Sequence, residues 1–271
     1  MREVSLAGIG LFCPAGQGEE GARGGNPGAV PGFRARDFIA DRKTIKIMTR
    51  SVQLGVSAVQ LALNHSEGWA DVPPERRGMF VGTTPLGGDP KDLMPALDVS
   101  TSSSGELNMM AFAKEGYPRI HPLWLIRGLS NNILGLAAAT HDFQGVNANY
   151  CSGEASGSLA LSEAFWSIAE GRADLCVAGA SDSMVSFSED WMGLSGGEGA
   201  AFFVLREARA QDRWKVALKK SNSGSNDAVD AEDCLGYLGT AGIVVAVARR
   251  LLTGESVTVR LSQDQFLSIY E

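Results

Sequence analysis

The stretch that decides the fold is residues 145–182, which read GVNANYCSGEASGSLALSEAFWSIAEGRADLCVAGASD. It begins with a predicted strand at 146–150 and continues through a turn of small residues into a predicted helix at 156–171. Gly171 is the expected end of that helix, since glycine readily adopts the backbone conformation that follows a helical C-terminus. A buried strand is then predicted at 173–181, because this run is almost entirely apolar. A strand–turn–helix–strand unit of this kind indicates an α/β protein.

The rest of the chain repeats this alternation of strands and helices. Further strands are predicted at 4–12, 78–84, 198–205 and 257–262. Further helices are predicted from Thr49 onward, within 123–143, at 205–213 and at 238–254. The strands are apolar throughout, as expected for a sheet that helices cover on both faces. No repeat or low-complexity segment divides the chain, so we expect a single α/β domain over residues 1–271.

Composition and charge exclude several classes of function. The net charge of −7 and the pI near 5.1 argue against nucleic acid as a partner. No apolar run approaches the roughly 20 residues of a membrane span, and the first residues lack the pattern of a signal peptide. The four cysteines are scattered without any metal-ligand or disulfide spacing. We therefore expect a cytoplasmic protein with reduced thiols, no metal, no cofactor and no membrane contact.

The series from Arg127 to Ser183 resembles the core of the β-ketoacyl synthases, the condensing enzymes of the thiolase fold. Three further segments are similar to the same family: 4–18, which includes VSLAGIGLFCPAG; 195–213, which includes GEGA; and 235–254, which includes LGYLGTAG. The resemblance implies an α/β, thiolase-like layered fold of αβαβα type. It implies a nearly complete N-terminal half and a shortened C-terminal half.

The turn at 151–154 raises the question of which residue stands at the family's nucleophile position. Counting back from the family-like motif at 171–174 places Glu154 there and Cys151 three residues too early. Making Cys151 the nucleophile would insert three residues into the helix and rotate its apolar face by most of a turn. We therefore predict Glu154 at the nucleophile position and Cys151 as a small buried residue that ends the strand. A carboxylate is a poor acyl acceptor, so no covalent transfer is expected on Glu154.

The resemblance also implies catalytic groups that this chain lacks. Gly236 stands where the family has a catalytic histidine, and Ala231 stands at the position of a conserved lysine. His65, His121 and His141 all precede Glu154, whereas the family's catalytic histidines follow the nucleophile. The glycine-rich closing segment of the family is also not found. Such a joint loss predicts a subunit that is not catalytic by itself, although it would be part of an acyltransferase-class complex.

Family members pair across a two-fold axis through the strand before the nucleophile turn. The resemblance therefore implies an interface strand formed by Val146, Asn147, Ala148, Asn149 and Tyr150. It also implies that the preceding helical region faces the partner's tunnel, with five candidate side chains that would limit chain length. These are Leu125, Leu129, Ile133, Leu134 and Phe143. Ordinary core packing is the alternative interpretation of each of them.

The chain-length factor of type II polyketide synthases is the kind of subunit that the sequence most resembles. The implied partners are a full-length β-ketoacyl synthase in a heterodimer and, through that complex, an acyl carrier protein. The basic stretch 33–50 is either a docking patch for an acidic carrier protein or an ordinary solvated surface. Two other functions stay open: a residual acyl-ACP decarboxylase or hydrolase that uses Glu154, and a self-associating acyl-binding protein. Polyketide, polyene and fatty-acid products are all compatible with the sequence.

Overall fold

The structure is a computed structural model, and it describes residues 1–85, 90–187, 193–220, 228–230, 235–262 and 264–271. Within these ranges no helix is both long enough and apolar enough to cross a membrane.

Strands and helices alternate along most of the chain. The strands are β1 Val4–Cys13, β2 Gly16–Gln17, β3 Arg77–Gly82, β4 Asn147–Tyr150, β5 Leu175–Ser183, β6 Glu198–Glu207, β7 Trp214–Lys220, β8 Val257–Arg260 and β9 Gln265–Tyr270. The helices are α1 Arg42–Ile45, α2 Arg50–Asn64, α3 Met94–Leu97, α4 Met109–Ala111, α5 Trp124–Arg127, α6 Asn132–His141, α7 Ser156–Ala169 and α8 Gly242–Leu252.

The strands of the described residues form one sheet of nine strands, in the order β4-β3-β5-β6-β1-β7-β9-β8, with β2 paired to β1. β3 is parallel to both β4 and β5, and the remaining neighbours are antiparallel. β4 and β8 are therefore the two edges of the sheet. The strand predicted before the nucleophile turn lies at one of them.

Two helical layers cover the sheet from opposite faces. α2 and α6 pack on one face, where Phe202 of β6 joins their core. α7 and α8 pack on the other face, where the next residue, Phe203, joins a second core. Successive side chains of a strand point to opposite faces, so one strand contributes to both cores. This arrangement confirms the predicted α/β fold with helices on both faces of the sheet.

The helix predicted at 205–213 is wrong. β6 continues through Glu207 and pairs with β1 as far as Val4. The Arg206 guanidinium forms a buried ion pair with Asp212, and Asp212 also accepts hydrogen bonds from Ser5 Oγ and Arg209 N. These contacts close a turn that leads into β7, a strand that the sequence pattern did not reveal.

The predicted strand at 257–262 is confirmed as β8, and it lies at the sheet edge as expected. It is not the last strand, however, because β9 follows and inserts between β8 and β7. Much of the predicted surface connection at 221–233 lies outside the described residues.

Candidate functional site

Hydrogen bonds of the Ser156 hydroxyl group stabilise the turn between β4 and α7. Ser152 N–H donates to Ser156 Oγ at 2.8 Å, and the Ser156 hydroxyl donates to the Gly153 carbonyl at 2.6 Å. Gly153 has φ +62°, a left-handed conformation that glycine adopts without strain. Together these residues form a short 3-10 turn at Gly153–Ala155 that places Glu154 on the surface immediately before α7.

Gly157 brings this turn close to α8. A Cβ at Gly157 would lie 2.6 Å from Val244 Cγ1 and 3.3 Å from the Thr240 carbonyl, so no larger residue fits without a shift. The first turn of α7 therefore packs against the beginning of α8, and this contact joins the two halves of the chain at the candidate site.

A cavity of about 540 Å³ lies beside this contact. It combines Glu154, Tyr237 and other polar groups with an apolar wall. Its lining consists of Pro27, Glu154, Leu194, Ser195, Asp230, Gly236, Tyr237, Leu238, Gly239, Gly242 and Ile243. Among these lining residues there is no thiol, imidazole, lysine or arginine. The cavity is acidic, which is unlike a site that must bind a malonyl carboxylate.

Tyr237 faces Glu154 across this cavity. Burial raises the pKa of Tyr237, and the charge of Glu154, a hydrogen-bond interaction with Glu154 and the charge of Asp182 raise it further. The phenol is therefore protonated at neutral pH. The pair can hold a polar ligand group, but it supplies neither a thiolate nucleophile nor an imidazolium.

Asp182 is a buried acid that the sequence analysis did not single out. It lies at the end of β5, is 2% exposed, and accepts hydrogen bonds from Thr240 N at 3.1 Å and Thr240 Oγ1 at 3.3 Å. Burial raises the pKa of its carboxyl, while the hydrogen bonds from Thr240 and Ser183 oppose the shift. A Cβ at Gly239 would overlap the Asp182 carboxylate. Asp182 therefore positions the turn that leads into α8. An acid that interrupts an apolar strand is the sequence signal that could have identified it.

Of the two residues predicted at the family's histidine and lysine positions, the structure describes only Gly236. Gly236, at the predicted histidine position, lines the cavity and has φ +77°. Ala231, at the predicted lysine position, lies outside the described residues.

None of the three histidines lines the cavity. The His65 Nδ1 lies within hydrogen-bond distance of the Ile9 carbonyl oxygen, at 2.8 Å, and the His121 ring accepts a hydrogen bond from Leu123 N. His141 packs edge-on against Trp69, and burial lowers its pKa. Each of the three histidines therefore contacts residues outside the cavity that Glu154 lines.

The expected burial of Cys151 is wrong, because its side chain is exposed. It follows β4, which is an edge strand of the sheet that the described residues form. Its sulfur lies 3.5 Å from Thr83 Oγ1 and 3.4 Å from Asn149 Nδ2. It is absent from the lining of the cavity that holds Glu154.

The candidate tunnel residues fall into two groups. Leu125 and Leu129 are 71% and 51% exposed. Ile133 is buried against α2, where Gly55 leaves room for it. Leu134 is half-buried against the same core, and Phe143 stacks on Trp69 with ring centroids 6.3 Å apart. The surface position of the first two leaves them available to a partner.

Comparison with known proteins gives one family and several similar structures. The family model described as "Beta-ketoacyl synthase, N-terminal domain" matches residues 20–189. The chain is similar to "The ishigamide ketosynthase/chain length factor", with a TM-score of 0.70, 16% identity and coverage of 98% of each chain.

Two other solved structures are similar over the same extent. One is "AntDE:AntF (apo): type II PKS acyl-carrier protein in complex with its ketosynthase bound to the hexaketide", with a TM-score of 0.68, 14% identity and 99% coverage of both chains. The other is a β-ketoacyl synthase from Burkholderia phymatum STM815, with a TM-score of 0.66, 13% identity, and coverage of 99% of this chain and 98% of that one. These likenesses confirm the predicted thiolase-like fold.

Proposed function

Because this chain belongs to the β-ketoacyl synthase family, we propose that it is a non-catalytic ketosynthase-like subunit of the chain-length-factor type. It pairs with an active β-ketoacyl-ACP synthase and shapes the tunnel for that enzyme's acyl, polyketide or polyene product. In this proposal the chain is a single cytoplasmic domain with a shortened C-terminal half. Its contact with an acyl carrier protein is made within the complex.

The observation that carries the proposal is the composition of the cavity at Glu154. Condensation requires a nucleophile that forms a thioester, and imidazoles that stabilise the enolate formed on decarboxylation. The described lining of the cavity offers two carboxylates, a protonated phenol and a serine hydroxyl in their place. A scaffold of this family with such a site suits a structural role in a pair.

A second observation supports a partner for this chain, namely the exposed apolar side chains between residues 94 and 129. Nine of the thirteen large hydrophobic side chains that are exposed in the described residues fall between 94 and 129. They are Met94, Leu107, Met109, Met110, Tyr117, Leu123, Leu125, Ile126 and Leu129. Apolar surface concentrated in this way is typical of a protein interface. Leu125 and Leu129 are the members that we propose reach the partner's tunnel.

Co-expression with a β-ketoacyl-ACP synthase from the same organism tests the proposal. With an affinity tag on the ketosynthase only, we expect a one-to-one heterodimer by size exclusion with light scattering. The chain alone should aggregate or purify poorly, because the surface at 94–129 would have no partner. A stable monomer that does not bind the ketosynthase would contradict the proposal. A well-behaved homodimer would instead favour a self-associating acyl-binding protein.

The presence of Glu154 and Tyr237 in one cavity favours one other candidate, a residual decarboxylase or hydrolase of acyl-carrier thioesters. The chain with Glu154→Gln is expected to leave thioester turnover by the purified heterodimer unchanged, since a non-catalytic subunit has no chemistry to lose. Turnover is measured by mass spectrometry of the carrier-bound species. Glu170→Gln, at an exposed position beyond the end of α7, is the matched control. A tenfold fall for Glu154→Gln alone would instead assign the chemistry to Glu154.

A further inference from the structure

A second cavity, of about 640 Å³, lies beside a gap in the pairing of β1. β6 pairs with β1 along one edge. On the other edge β7 begins opposite Leu6 and β2 ends opposite Phe12, so none of the described strands covers residues 7–11 on that side. The cavity is lined there by the segments 6–9, 17–19 and 211–214. We call it the β1 cavity.

One side of the β1 cavity is apolar. Leu6, Ile9 and Trp214 line it and belong to the core beneath α8, and Leu252 at the end of α8 packs against the same core. The other side is formed by the end of α2 and by the turn between β6 and β7, which contribute most of the charged groups of the lining. A ligand that bridges the gap therefore meets an apolar wall at one end and charged side chains at the other.

Charges of both signs in the β1 cavity have no ion-pair partner among the described residues. Arg209 forms no ion pair with a described carboxylate, and Glu67 and Glu19 form none with a described cation. All three side chains are exposed. The other arginines of the lining are already paired, as Arg206–Asp212 and Arg213–Glu271. One guanidinium and two carboxylates are therefore available to a ligand.

The turn that carries Arg209 is fixed by a buried carboxylate. The Asp212 side chain is 4% exposed and accepts a hydrogen bond from Arg209 N at 2.8 Å. The Arg209 guanidinium lies beside Gly68, because a Cβ there would be 3.7 Å from Nη1. Asp71 Oδ2 borders the same point at 3.4 Å but forms no ion pair with Arg209. The unpaired guanidinium is thus placed next to Glu67, the residue before Gly68.

His65 adds a hydrogen-bond acceptor on the same side of the cavity. Its Nδ1 lies 2.8 Å from the Ile9 carbonyl oxygen, which can only accept, so Nδ1 carries the proton of the neutral ring. Nε2 is then an acceptor, and it has no hydrogen-bond partner among the described residues. A ring oriented by the main chain in this way offers a fixed lone pair to a ligand.

We propose that the β1 cavity binds a free α-amino acid with an apolar side chain. Arg209 receives its carboxylate, and Glu67 with His65 Nε2 receives its ammonium, in charge-assisted hydrogen bonds. The side chain of the ligand lies on the apolar wall. A simple anion or a simple cation would leave the unpaired group of its own sign unmatched, whereas a zwitterion matches both. The volume is within the roughly 300–1,000 Å³ of small-molecule sites. The inference is independent of the proposed function.

Isothermal titration with L-leucine and two derivatives tests the site, on the purified heterodimer or on the chain alone where it purifies without a partner. L-leucinamide lacks the carboxylate and N-acetyl-L-leucine lacks the ammonium, so each should bind about tenfold more weakly than L-leucine. Arg209→Gln should weaken L-leucine about tenfold and leave L-leucinamide unchanged. Glu67→Gln should weaken L-leucine likewise and leave N-acetyl-L-leucine unchanged. Arg36→Gln, at an exposed position outside the cavity, is the matched control and should bind like the parent.

Three results would overturn the site. They are a dissociation constant for L-leucine above about 1 mM, equal affinities for L-leucine and its two derivatives, and parental affinity for L-leucine in both the Arg209 and the Glu67 variant. Thermal melting confirms that each variant folds, as expected for exposed side chains that have no ion pair with a described residue. If no heterodimer forms, the proposed function fails, and the titration of the chain alone still decides whether the β1 cavity binds an amino acid.

Discussion

The chain with Gly10→Ala is expected to lose about 3 kcal/mol of unfolding free energy, or to fail to fold. Gly10 lies in β1 directly beneath α2. A Cβ at this position would overlap the Ala58 carbonyl oxygen and lie 2.7 Å from the Ala62 nitrogen. Both are backbone atoms of a helix, so no side-chain rotation can relieve the contact. Either α2 must move away from the sheet, or β1 must leave its pairing with β6.

Gly135→Ala is the matched control for this prediction. Gly135 lies within α6, and a Cβ there would meet nothing within 4 Å. Alanine is the better helix former by about 1 kcal/mol, so this variant should be as stable as the parent or slightly more stable. Urea unfolding followed by circular dichroism measures both variants. Equal stability of the two would show that α2 does not contact β1 as closely as described.

Strong periodic patterns account for the elements that could be predicted. The apolar run that became β1 and the helical spacing that became α2 each imply a single structure. By contrast, LREARAQDR consists mostly of good helix formers, but pairing with β1 keeps its first residues in β6. The sequence pattern did not predict β7, because its alternation of basic and apolar residues is short. The alternation has a clear meaning only once the pairing of β7 with β9 shows which side chains face the core. Local propensity is a weak guide where long-range pairing decides.

The candidate site could be predicted only in part, for a related reason. Glu154 was located by counting along one helix, which is a local property of the sequence. Tyr237, which lines the same cavity, and Asp182, whose charge acts on Tyr237, come from distant segments. The packing of Gly157 against α8 brings these segments together. No pattern around Glu154 indicates that contact. The exposure of Cys151 likewise follows from the position of β4 in the strand order, which composition does not reveal.

Among the described strands β4 has only one neighbour, so its other edge is open to the partner strand that the proposed heterodimer requires. Met79 N–H donates to the Val146 carbonyl, and Thr83 N–H donates to the Tyr150 carbonyl. Even-numbered residues therefore turn their backbone groups toward β3, and those of Asn147 and Asn149 point away from the sheet. Asn147 is exposed and its side chain donates only to the Gly145 carbonyl, so substitution there leaves the pairing with β3 intact.

The chain with Asn147→Pro is expected to lose the heterodimer, with affinity for the ketosynthase reduced about a hundredfold. Proline removes an outward N–H and leaves the partner's carbonyl without a hydrogen bond, at a combined cost of about 3 kcal/mol. Asn147→Ala removes the same side chain but keeps the N–H, so it should co-purify like the parent. The amount of chain retained by tagged ketosynthase measures both variants. If the proline and alanine variants are both retained like the parent, the partner does not bind at the edge of β4. If both are lost, the Asn147 side chain and not the strand backbone makes the contact.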